Sequence, residues 1–165
     1  MPGYKRIFLS DVVQKSVYLK LHMIMATGRK DKSGTESLLC PSYLSKPGAQ
    51  LFGIQNSEGT IDYLKETITV DQTFTEAAKT GRPAEERFRF AGKCIEKGCH
   101  QWNDQEHQCG LVGAIIERMN NPVTNAVLHC PIKARCRWFA QKGIQACANC
   151  NDVIRNLEIH HFAEA

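Results

Sequence analysis

Four cysteines crowd the end of this chain in the order Cys130-x5-Cys136-x10-Cys147-x2-Cys150, and three more precede them as Cys94-x4-Cys99-x9-Cys109. Together they are seven of the eight cysteines in 165 residues, and His100, His107, His129, Trp102 and Trp138 lie in the same stretch. Cysteine clustered in this way points to a metal, a cluster or a disulfide framework.

The spacing of the second group leans toward a cluster. Cys147 and Cys150 stand at i, i+3, so both sulfurs can face one site from a single helical turn. The x5 and x10 gaps deliver the other ligands singly, as irregular cluster-binding segments do. Lys133, Arg135, Arg137 and Lys142 fall between Cys130 and Gly143 with no acidic residue among them. Cations beside thiolates stabilise the ionised, ligating form. Cys130, Cys136, Cys147 and Cys150 are therefore the expected ligands of a [4Fe–4S] cluster. Zinc is the rival, as one ion or two, although structural zinc sites usually draw ligands from two short Cys-x2–4-Cys knuckles. Only Cys147-x2-Cys150 has that spacing, with Cys94-x4-Cys99 at the permissive end. A Cys-x-x-Cys redox couple at Cys147–Cys150 is less favoured, because it follows a helix instead of opening one.

The first group suits a Cys3His metal site made by Cys94, Cys99 and Cys109 with His107, two residues before Cys109. His100 or the remote Cys40 are alternative fourth ligands. Gly92, Gly98 and Gly110 beside these cysteines let backbone turn tightly and leave N–H groups free for sulfur. Glu96, Asp104 and Glu106 stand nearby as candidate bases should the metal keep an open position.

The elements that must carry these groups form an α+β chain: a small N-terminal α+β unit with a β-hairpin, then a helical, cysteine-rich half. Residues 1–90 form the expected scaffold, 91–155 the metal- or cluster-binding region, and 156–165 a tail. Residues 5–26 mix helix and strand periodicity, and 27–37 read as a polar loop. Leu51, Phe52 and Ile54, the turn at Asn56–Gly59, then Ile61, Tyr63 and Leu64 predict a hairpin with a four-residue loop. Thr67–Val70 is expected as a further strand, Asp71 as the cap of a short helix reaching toward Gly81, and Arg87–Phe90 as a strand. Helices are expected over 111–119, stopped by Asn120-Asn121-Pro122, and over 132–141, stopped by Gly143.

Composition excludes some classes. With 42% hydrophobic and 23% charged residues the chain is globular, not disordered. No apolar run is long enough for a transmembrane helix. The opening MPGYKRIFLSDVVQ lacks the apolar core of a secretory signal, so a reducing cytoplasm with free thiols is expected. Dinucleotide, Walker, nucleophile-elbow and zinc-protease motifs are missing. The leading expectation is an iron–sulfur protein for electron transfer or redox and oxygen sensing, docking an acidic partner through its basic segment. The alternatives are a structural zinc module contacting protein or nucleic acid, which the net charge of +4 permits, and a metalloenzyme.

Overall fold

The computed structural model describes residues 37–124, 129–151 and 153. The readings made for residues 5–26, for most of the 27–37 loop and for the 156–165 tail lie outside them. The described residues all fall within one unit, Glu36–Ala165. It is mixed α+β, with the sheet first and the helices later. Among the described residues no helix is long and apolar enough to cross a membrane.

Four antiparallel strands form the main sheet in the order β1-β4-β2-β3: β1 Leu39–Cys40, β2 Gln50–Gln55, β3 Ile61–Thr69 and β4 Phe88–Lys93. The expected hairpin is β2–β3. Its turn closes because Asn56 Oδ1 accepts the backbone N–H groups of Glu58 and Thr60 at 3.0 and 3.1 Å. Thr67–Thr69 is not a separate strand but the far end of β3, whose Ile68 and Thr69 pair with Leu51 and Gln50. The ladder slips between Leu51 and Gly53, which absorbs the greater length of β3 as an irregularity and keeps the strand continuous.

Asp71 caps helix α1 (Gln72–Ala78), accepting the Phe74 N–H at 2.7 Å, and Pro83 leads into the short helix α2 (Ala84–Arg87). These helices cover one face of the sheet, where Leu51, Val70, Ala78, Ala84 and Phe90 are buried. Phe74 meets Phe88 edge-on at 5.4 Å between ring centroids. The other face buries Leu39, Phe52 and Ala91 against Ile132, with Cys130 and Cys136 packed alongside. Burying Leu51, Phe52 or Phe90 fully, as here, contributes about 1.5–3 kcal/mol per side chain.

Beyond β4 a small hairpin, β5 (Trp102–Asn103) and β6 (Gln108–Cys109), leads into α3 (Gly110–Met119). Helix α3 ends as expected: Asn120 is left-handed at φ 46°, and its N–H bonds Ile116 O at 2.8 Å. The continuous helix expected over 132–141 is broken. Lys133–Arg135 form a 3-10 turn, Cys136 is extended (φ −74°, ψ 123°), and α4 runs only over Arg137–Lys142. The cause is a bridge between Leu39 and Cys136 that adds this residue to the edge of β1 and forbids helical geometry there. Gly143 (φ 57°, ψ −142°) turns the chain into α5 (Ile144–Cys150), a conformation almost confined to glycine. Val112, Trp138 and Ala146 form the buried seam of the three helices.

Candidate metal centre

The four cysteines of the second group come from three different local structures yet line one cavity of about 300 Å³. Cys130 precedes the 3-10 turn, Cys136 is the extended residue before α4, and Cys147 and Cys150 lie one turn apart on α5. Apolar walls come from Phe52, Tyr63, Ile132, Trp138 and Phe139.

Burial raises every thiol of the group, because low-dielectric surroundings disfavour the thiolate. Cys136 is pushed up to about 12, although the backbone N–H groups of Phe139 and Trp138 at the start of α4 favour its anion. Burial lifts Cys150 to about 11 against the opposing pull of Arg89. Cys130 and Cys147 are raised too, again by burial, with Lys133 acting in the other direction on both. Backbone N–H groups and two cations, Lys133 and Arg89, thus favour the thiolate forms against burial.

Arg89 and Tyr63 also hold Cys150 in place from the sheet. The Arg89 guanidinium donates to Cys150 O at 3.1 Å and Asn151 O at 2.9 Å, closing the C-terminal end of α5. The Tyr63 hydroxyl donates to Asn151 Oδ1 at 2.7 Å. Asn149, fully buried, ties α5 to the end of α3: its Oδ1 accepts the Asn121 N–H at 3.0 Å and its amide donates to Gln145 O. Sequence reasoning missed all three. The alternating Arg87-Phe88-Arg89-Phe90 was the one available signal, since alternation puts Arg89 on the face of β4 shared with Ala91 and opposite to Phe88 and Phe90.

Two of the four basic residues between Cys130 and Gly143 make internal contacts, while Lys142 is exposed. Arg137 pairs with Glu96 and stacks over the Trp102 ring at 5.2 Å, and Lys133 lies over Phe139 at 5.1 Å. Of the candidate bases, Glu96 is taken by Arg137, while Asp104 and Glu106 are exposed in the β5–β6 turn.

The first group is built on backbone. Cys94 continues β4, its N–H donating to Leu38 O at 2.9 Å. A 3-10 turn, Glu96–Gly98, separates it from Cys99, whose sulfur accepts the Gln101 N–H at 3.4 Å. Cys109 sits directly across from Trp102 at the base of the small hairpin. Gln141 of α4 clamps the Cys109 backbone at both N–H and carbonyl, 3.1 and 3.4 Å. His107 is exposed in the hairpin turn at φ 51°, His100 is exposed, and the His129 ring lies 3.0 Å from Lys65 O. Cys40, remote in sequence, lies within electrostatic reach of Cys94, Cys99 and Cys109.

All eight cysteines are free thiols. Among the described residues no three Cys, His, Asp or Glu side chains converge closely enough to hold a single ion. Comparison with family models, curated proteins and solved structures returned no match.

Proposed function

We propose that Cys130, Cys136, Cys147 and Cys150 bind a [4Fe–4S] cluster, and that the protein serves in electron transfer or in sensing redox state. The observation that carries this reading is the shape of the site. Four thiols line a cavity of about 300 Å³ without converging on a point. A cluster fills space between thiolates and takes four of them.

The chemistry of the walls fits as well. The indole N–H of Trp138 is buried with no hydrogen-bond partner among the described residues, and Trp138 lines the cavity. Leaving such a donor unpaired costs about 1–3 kcal/mol, which an anionic sulfur acceptor would offset. When bound, the cluster supplies one-electron chemistry. The residues of this chain ligate it, exclude water through Phe52 and Trp138, and set its potential through Lys133, Arg89 and N–H donors.

Protein purified without oxygen should be brown, absorb near 400 nm and contain iron and sulfide. Cys136→Ser should lose both. A colourless protein carrying zinc at these four thiols would replace this reading with a structural module, whose stability would depend on metal.

A further inference from the structure

We propose that Cys40, Cys94, Cys99 and Cys109 form a second, separate site, holding one structural zinc ion with four thiolates and no histidine. Strand pairing brings the distant cysteine in. Leu39 pairs with Lys93 and Cys40 with Gly92, and the Cys94 N–H to Leu38 O bond carries the ladder one step further. Side chains alternate along a strand, so Cys40 and Cys94 lie on the same face as diagonal neighbours, about 7 Å apart. The four thiols do not converge on one point as they stand, and side-chain rotation has to bring each to about 2.3 Å from the ion.

Leu39, by the same alternation, points the other way, into the core that holds Cys130 and Cys136. Cys40 and Cys94 thus project from the face of the sheet opposite to the one on which Cys130 and Cys136 pack. The remaining ligands arrive through short connections. Cys99 follows Cys94 across one 3-10 turn, and the Trp102 N–H to Cys99 O bond (3.0 Å) with the Gly110 N–H to Gln101 O bond (2.7 Å) folds Cys109 back beside it. The thiol of Cys40 feels all three others.

Two donors are placed for thiolates. The Gln101 N–H already bonds Cys99 Sγ, the kind of outer contact that orients a ligated sulfur. The buried indole N–H of Trp102, on the residue paired with Cys109, has no partner among the described residues. His107 lacks a comparable claim: its backbone is held in the hairpin turn and its side chain is exposed. A closed four-thiolate site has no open position, which suits zinc in a structural role.

The test uses the full-length protein as isolated. X-ray absorption at the zinc edge should show sulfur alone at about 2.3 Å; a nitrogen in the shell would overturn the proposal without any variant. Cys40→Ser should remove one zinc per chain and His107→Ala none. Cys40→Asp, which can ligate through oxygen, should recover zinc if the serine variant is lost through misfolding. Zinc retained in Cys40→Ser, or lost in His107→Ala, would overturn the assignment. So would a Cys40→Ser variant that loses iron but not zinc. The proposal does not rest on the cluster: iron and sulfide measured in the same samples report on Cys130–Cys150 independently, and Cys136→Ser should leave this zinc in place.

Discussion

The two cysteine groups solve the same problem in opposite ways. The first is held by backbone: a strand register, a 3-10 turn and a hairpin whose hydrogen bonds fix each Cα, with side chains at the margin of the sheet. The second is held by packing: its cysteines line a cavity walled by Phe52, Tyr63 and Trp138, and remote side chains tether its helix. A backbone-built site suits a small ion that needs only fixed spacing. A cavity suits a larger body whose properties depend on being kept from water. Under the two assignments proposed above, the first group would serve structure and the second redox chemistry.

The largest expected effect separates binding from folding. Ligation requires thiolates, yet burial keeps Cys136 near 12 and Cys150 near 11, with Cys130 and Cys147 also raised. Near pH 7 these thiols hold their protons and must release them on binding. Apparent affinity should therefore rise with pH, on the order of tenfold per unit for each thiol that ligates, up to about 10⁴-fold for four. Cobalt(II) titrated into the reduced protein at pH 6.5, 7 and 7.5, read by thiolate-to-metal absorption, measures the slope. A flat profile would mean that the thiols ionise before binding.

Next in size is Arg89→Met. It removes a charged donor from two carbonyls at the end of α5 and leaves them without it, which should cost about 3 kcal/mol in denaturant unfolding. The damage should fall on one side: the second group should lose its bound species while zinc at the first persists. Loss of both together would show that the two faces are one cooperative site.

The converse probe is Gly92→Ala. A Cβ at Gly92, the β4 residue paired with Cys40 and two positions before Cys94, would clash with the Tyr43 ring. Displacing that ring should cost about 1–3 kcal/mol. Zinc should become labile to chelator, with the iron content unchanged.

How much of this was legible beforehand depends on the range of the interaction. The hairpin at Asn56–Gly59, the Asp71 cap and the α3 stop at Asn120-Asn121-Pro122 are local, each decided by residues a few positions apart, and they could be read directly. The break at Cys136 was invisible. Residues 132–141 have helical periodicity, and what overrides it is a bridge to Leu39, ninety-odd positions away. The same range effect hid Arg89 and Tyr63, since nothing near them in sequence announces α5. The grouping of Cys130 with Cys136, Cys147 and Cys150 was suggested by spacing, whereas the approach of Cys40 to Cys94 follows only from the β1–β4 register.

The smallest expected effect concerns a side-chain ion pair that joins the groups, Arg137 with Glu96. Glu96 lies in the turn between Cys94 and Cys99, and Arg137 follows Cys136, so their contact runs from one site to the other. Arg137 is largely covered, at 13% exposure, while Glu96 is 49% exposed, so water screens the pair from one side. Such a pair should contribute about 0.5–1 kcal/mol. Arg137 also stacks on Trp102, so removing it alone overstates the ion pair. A double-mutant cycle of Glu96→Gln and Arg137→Met separates the two, because the stacking loss is common to both Arg137 variants and cancels. A coupling within that range would leave the faces nearly independent, as their separate scaffolds imply. A coupling several times larger would mean that occupancy of one site is felt at the other, and the sensing reading would gain a physical route.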